Sequence, residues 1–177
     1  MEHIRNIRSK MDHNGNLPLV PAKTILSGWS DGGWFGSNYN MNLYKGCNHG
    51  CVYCDSRSEC YQVTDFDMVR AKADALEILE QELRGKRRKG VIISGSMSDV
   101  YNPFERGQQL MRGALELMDR HGFGVVIDTK SPLVARDLDL LQRIARHSPV
   151  AVNFTITTAE DALCRRVERQ VAPTSAR

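Results

Sequence analysis

The sequence predicts an α/β protein: part of a barrel of parallel strands, about four βα units long, behind an irregular lead-in. Short β-branched apolar runs recur along the chain, amphipathic helical stretches separate them, and the repeat is about 30 residues, the length of a βαβ unit. The strand runs are mostly apolar, as strands of a parallel sheet covered by helices are. At 177 residues with 41% hydrophobic side chains, the chain has enough apolar surface for one real core.

Residues 1–38 hold Pro18, Pro21 and a Gly/Ser/Trp-rich stretch without helical or strand periodicity, so they read as the lead-in. The barrel is assigned to residues 39–177. Its first strand comes from the alternation of Tyr39, Met41 and Leu43 with Asn40, Asn42 and Tyr44, which runs into Gly46. Phe66, Val69, Ala73, Leu76, Leu79 and Leu83 recur at three- and four-residue steps, and predict a helix capped by Thr64 or Asp65 and ended by Gly85.

A second strand is expected over residues 91–94. A helix then opens at Asn102-Pro103-Phe104-Glu105, which supplies a cap, a first-turn proline and an acid, and stops near Gly122. The third strand is expected at 125–127, and a helix starts at Ser131-Pro132 and continues through Val134, Leu138, Leu141 and Ile144. The fourth strand is placed at 150–156 and a last helix near Ala159. In parallel sheets, chemistry collects on the loops after the strands. Here those loops are the cysteine segment, residues 94–99, residues 128–130 and residues 155–158.

A formal charge of +3 is too small to identify a polyanionic partner. No apolar run approaches a membrane span, and residues 1–10 are too polar for a signal peptide, so a cytoplasmic protein without membrane association is expected. The run Lys86-Arg87-Arg88-Lys89 falls between a helix and the second strand, at the end opposite the cysteines, and reads as a solvated loop. Trp29 and Trp34, flanking Gly32 and Gly33, read as packing of the lead-in rather than as base-stacking groups.

The five cysteines fall into a group of three, Cys47, Cys51 and Cys54, with Cys60 and Cys164 apart. In a reducing compartment such crowding favours a metal over disulfides. Three thiolates on a short CxxxCxxC loop hold three corners of a 4Fe-4S cubane and leave the fourth iron open to a ligand. The same cysteines, with His49 or Cys60 as a fourth ligand, also suit a structural zinc in a binding module without redox chemistry. Spacing favours the cluster and leaves both readings open. His49 reads as packing beside the site rather than as a ligand, Cys60 as a bystander, and Cys164 as small apolar packing. Asp55 and Arg57 are expected to brace the loop by hydrogen bonds.

CxxxCxxC with Tyr53 just before the last cysteine, placed after the first strand of a βα repeat, resembles the radical S-adenosylmethionine (SAM) superfamily. Asn42-Leu43-Tyr44-Lys45-Gly46-Cys47 is similar to the spore photoproduct lyase-like branch, often labelled DNA repair photolyase. So are Ala22-Lys23-Thr24-Ile25-Leu26, Gly95-Ser96-Met97-Ser98-Asp99, Asp128-Thr129-Lys130-Ser131 and Thr155-Ile156-Thr157-Thr158. The resemblance implies a lyase-like enzyme in which the cluster cleaves SAM reductively to a 5′-deoxyadenosyl radical. It implies Tyr53 beside the adenine, the loop carrying Ser94, Ser96 and Ser98 at the methionine amino group, and Lys130 on its carboxylate; independently of the family, a strand-end hydroxyl at Thr155 or Thr157 can reach a ribose. It also implies an external reductant such as a flavodoxin or ferredoxin, and a nucleic-acid substrate. It names no catalytic side chain.

Two departures follow. Residues 91–105 contain no cysteine, where photoproduct-repairing members are expected to carry a hydrogen donor, and this weakens photoproduct repair. The family barrel has about six βα units, against four here. The chain is therefore expected to be a truncated member whose fourth strand is a sheet edge, or one completed by another chain.

Overall fold

A computed structural model describes residues 17–28 and 36–177. Trp29, Trp34 and the intervening glycines lie outside the described residues. The main sheet has five strands in the order β2 (Leu26–Gly28), β3 (Tyr39–Met41), β6 (Val91–Ser94), β7 (Gly124–Thr129) and β8 (Val150–Phe154). The last four run parallel in sequence order, with Ile92 opposite Val125 and Ile127 opposite Val152, while β2 pairs antiparallel with β3. These are the four expected parallel βα strands, ordered as a partial barrel requires.

A smaller sheet, β1 (Leu19–Val20), β5 (Arg70–Lys72) and β4 (Tyr44–Lys45), lies beside it. Thus the stretch expected to be irregular contributes two strands. Ile25 and Leu26 are buried there, and both of their amides donate to the Glu82 carboxylate at 3.1 and 2.9 Å.

The helices are α1 (Ala75–Gly85), α2 (Glu105–Gln108), α3 (Leu110–His121), α4 (Leu138–Ile144) and α5 (Asp161–Val167). Leu79 and Leu83 of α1, Met111, Leu115 and Met118 of α3, and Leu140 and Ile144 of α4 pack with Ile92, Val125 and Ile127 of the sheet into one core. Ile93 and Val126, on the alternate positions, are buried as well, so the central strands are covered on both faces. Gly122, at φ 73°, ends α3 as expected, and the Asn102 side chain accepts from the Phe104 amide at 3.1 Å where a cap was expected.

The expected long helix behind Asp65 is corrected. Asp65 has φ 51°, Arg70–Lys72 is a strand, and the helix begins only at Ala75. Phe66 and Val69 are buried, but by a turn and the lead-in to β5, and the Phe66 carbonyl accepts from the Cys47 amide at 2.8 Å. Tertiary pairing with the cysteine loop overrides a helical period of apolar residues. The expected first strand likewise breaks in two, because after Met41 the chain leaves the main sheet and Tyr44 and Lys45 pair with β5.

Strand β8 is the last in the order, and among the described residues no strand pairs with its far side. Phe154 and Ile156 are exposed at that edge. At the opposite end of the strands from the cysteines, Lys86 and Lys89 lie over the rings of Tyr39 and Phe123 at 5.1 and 4.8 Å. The basic run therefore serves partly to cap aromatic rings. Among the described residues no helix is long and apolar enough to cross a membrane.

Candidate functional site

The loop after β4 starts with Gly46 at φ 83°, where an added Cβ would run into the Met68 and Phe66 carbonyls. Only glycine turns the chain there without displacing β5's lead-in. The turn delivers Cys47, Cys51 and Cys54 to one cavity of about 110 Å³ at the C-terminal ends of the parallel strands. Its far wall comes from Ser96, Ser98 and Asp99 in the loop after β6, Asp128 at the end of β7, Lys130 in the loop after it, and Thr155 after β8. Gly95, at φ 104°, allows the first of these loops to lie against the Asp128 carbonyl, which a Cβ would strike.

Asp99 ties the wall together. Its carboxylate is buried and accepts from the Tyr101 amide at 2.9 Å, the Thr129 hydroxyl at 2.8 Å and the Lys130 amide at 2.7 Å. His49 Nδ1 stands 3.6 Å from the same carboxylate. Burial lowers the His49 pKa, against the pull of Asp99, so the imidazole is neutral at neutral pH. His49 also lines the cavity beside the three cysteines. Cys60, by contrast, is exposed and contacts Ser58, away from the cavity.

Burial raises Cys47 to about 11, although the backbone amides of His49 and Asp99 bond to the sulfur and pull it down, and burial also raises Cys51. Both are thiols at neutral pH until a metal displaces the protons. Two amides already directed at the Cys47 sulfur are what a thiolate ligand needs. Among the described residues, no three His, Cys, Asp or Glu side chains stand close enough together to ligate one ion. The thiols line one cavity with His49, and the donor set of three soft sulfurs, with serine, lysine and threonine opposite, fits an iron–sulfur cluster.

The sequence-predicted residues divide. Ser96, Ser98, Lys130 and Thr155 line the cavity with the three cysteines. Ser94 does not: its side chain is buried and donates to the Met41 carbonyl at 3.2 Å, stitching β6 to β3. Tyr53 and Thr157 stand off the cavity wall. The Tyr53 hydroxyl donates to Glu168, and Lys130 Nζ lies 6.0 Å from the Tyr53 ring centroid. Arg57 forms a bidentate pair with Asp67 at 2.8 and 2.5 Å, and Asp55 accepts from Tyr61 at 2.9 Å. The expected bracing thus acts on the segment after the cysteines.

Sequence reasoning missed Glu168 and Arg177, whose side chains are fully buried against each other. It also misread Cys164, whose sulfur is 2.8 Å from the Arg177 guanidinium rather than in apolar packing. No periodicity announces such a pair, because its burial comes from chain segments meeting in space. A second buried network was equally silent. Glu105 accepts from Tyr44, from the Met111 amide at 3.0 Å and from Arg136 at 2.9 Å, and Arg136 and Arg112 both reach buried Asp137.

The model of the Radical SAM superfamily matches residues 41–174, which include the cysteine loop and every strand end around the cavity. The chain belongs to the radical SAM superfamily. This radical SAM chain is 29% identical over 172 residues to an uncharacterized protein of Mycobacterium tuberculosis (strain ATCC 25618 / H37Rv), covering 93% of this chain and 51% of that one. It is 33% identical over 133 residues to an uncharacterized protein of Methanocaldococcus jannaschii, covering 75% of this chain and 49% of the other. The chain spans about half the length of these curated relatives.

Among solved structures its fold resembles spore photoproduct lyase complexed with dinucleoside spore photoproduct, at TM-score 0.64 and 14% identity, over 92% of this chain and 46% of that one. A spore photoproduct lyase variant with bound AdoMet and dinucleoside spore photoproduct gives TM-score 0.65 and 15% identity, over 100% of this chain and 48% of the other. The radical SAM family implies an iron–sulfur cluster and SAM.

Proposed function

We propose that this chain binds a 4Fe-4S cluster through Cys47, Cys51 and Cys54 and uses it to cleave SAM reductively, as a radical SAM enzyme or as part of one. The observation that carries this reading is the single cavity lined by all three thiols and, opposite them, by Ser96, Ser98, Lys130 and Thr155. When bound, the cluster would supply an electron to the SAM sulfonium and so break a carbon–sulfur bond.

The chain's own residues would bind and orient. Lys130 carries its ammonium at the cavity wall and would pair with the methionine carboxylate, a charge-assisted contact strengthened by partial burial. The hydroxyls of Ser96 and Ser98 would serve the amino group, and that of Thr155 the ribose. Tyr53 would present its ring to the adenine from the rim, next to Lys130. Asp99 holds the wall and the Cys47 turn in register. The zinc reading loses Cys60 as a fourth ligand, since it is exposed off the cavity, and keeps only His49, which lines the cavity with its Nδ1 3.6 Å from Asp99.

For the substrate, the ligand named with the solved neighbours supports a nucleic acid or a component of one. Photoproduct repair by a cysteine hydrogen donor is not part of the proposal, because Cys60 and Cys164 stand off the cavity. The electron would come from a flavodoxin or ferredoxin.

The test is anaerobic reconstitution with iron and sulfide, followed by iron, sulfide and zinc per chain and 5′-deoxyadenosine formed from SAM under reductant. About four irons per chain, lost in Cys51→Ala, together with deoxyadenosine formation, is the expected result. Stoichiometric zinc without iron uptake would overturn the proposal.

A further inference from the structure

The cysteine loop is stitched to the segment that follows α5. The Val52 amide donates to the Val167 carbonyl at 2.9 Å, the Gln170 amide donates to the His49 carbonyl at 3.0 Å, and Cys51 pairs antiparallel with Glu168. Glu168 is 1% exposed. One carboxylate oxygen accepts from the Tyr53 hydroxyl and the other from Arg177. Arg177 is itself fixed, donating to the Ala172 carbonyl at 2.9 Å and the Thr155 carbonyl at 2.7 Å.

A buried ion pair is a poor device for stability alone, since apolar side chains of similar volume hold a segment as well or better. What a clamped carboxylate adds is direction. Tyr53 is 48% exposed, and apart from Lys130 at 6.0 Å its side chain is held at its hydroxyl end, so the ring's orientation depends on the acceptor it finds there. We infer that Glu168 is a positioning residue: clamped by Arg177, it sets the Tyr53 ring at the cavity rim and so governs SAM affinity through Tyr53. The inference rests on the proposed cluster and SAM site. It makes the segment after α5 part of that site, although Glu168 lines no wall of the cavity.

Two measurements test it. In the metal-free protein, amide exchange over residues 51–54 reports whether Glu168 orders the loop. Exchange about tenfold faster in Glu168→Ala is expected, and unchanged exchange would overturn the positioning role. In the anaerobically reconstituted protein, equilibrium dialysis gives SAM affinity beside the iron count. Tyr53→Phe keeps the ring and removes the hydroxyl. It is expected to bind SAM about tenfold more weakly with iron unchanged, the loss that follows from one hydrogen bond to a charged acceptor. Glu168→Ala should lose as much, and the double variant no more, because both act through one contact. A merely structural tie would lower the melting temperature of Glu168→Ala and leave SAM affinity of Tyr53→Phe intact, and that result would overturn the inference. Wild-type protein that takes up no iron would refute the proposed function, and the exchange measurement would then decide the positioning role alone.

Discussion

Replacing Asp99 by alanine tests how much of the cavity wall depends on one carboxylate. The side chain accepts from two backbone amides, Tyr101 at 2.9 Å and Lys130 at 2.7 Å, and from the Thr129 hydroxyl at 2.8 Å. Alanine leaves both amides without that acceptor, the Tyr101 amide in a buried position. The hydroxyl suffers least, since it already accepts from the Ser131 amide at 3.0 Å. An orphaned buried donor costs about 1–3 kcal/mol. Two of them, with the Lys130 amide only partly buried, give about 3 kcal/mol. In a domain of this size that is a drop in melting temperature of roughly 6–12 °C. Asp99→Asn retains one acceptor oxygen but turns a donor toward other donors, so a loss of about 2 kcal/mol is expected. Urea unfolding of the metal-free protein is the right assay, because metal linkage would otherwise mask the difference. Stability of Asp99→Ala within about 1 kcal/mol of wild type would refute the role of Asp99 as the tie that holds the wall.

Glu105→Ala should cost about 3 kcal/mol by stranding the Tyr44 hydroxyl, the Met111 amide and part of Arg136, and adding Tyr44→Phe should recover about 1 kcal/mol, read from the same urea curves. Gly95→Ala should destabilise by more than about 2 kcal/mol, since it combines a positive φ with a blocked Cβ. Gly85→Ala, at the open end of α1 with nothing near its Cβ, should stabilise by about 0.5 kcal/mol. Hydrogen bonds from Arg112 hold Asp139 down at about 2. A depressed carboxylate pKa contributes stability that is full above the ordinary value near 3.8 and is lost as pH falls through about 2. Asp139→Asn should therefore lower the urea midpoint at about pH 5 and have little effect near pH 2, with the size muted because the pair is exposed to solvent.

The sequence alone determined the parts whose physics is local. Alternating β-branched runs and helical periods specified four parallel strands with their helices, Gly122 marked the end of α3, and three cysteines on an eight-residue loop marked the chemistry. Because parallel strands place their following loops on one edge, Ser96, Ser98, Lys130 and Thr155 could be grouped with those cysteines from the order of elements along the chain. Tertiary structure decided what depends on segments far apart in the chain. Residues 66–72 carry a helical period, yet turn and then run as a strand, with the Phe66 carbonyl partnering the cysteine turn and β5 pairing with β4. Ser94 looks like its serine neighbours, yet faces a strand carbonyl because the pleat turns it away from the cavity. Glu105 reads in the sequence only as a first-turn acid, and Glu168 and Arg177 carry no signal there. They are buried because each finds its counter-charge on another segment, and only the folded chain brings such partners within hydrogen-bonding distance.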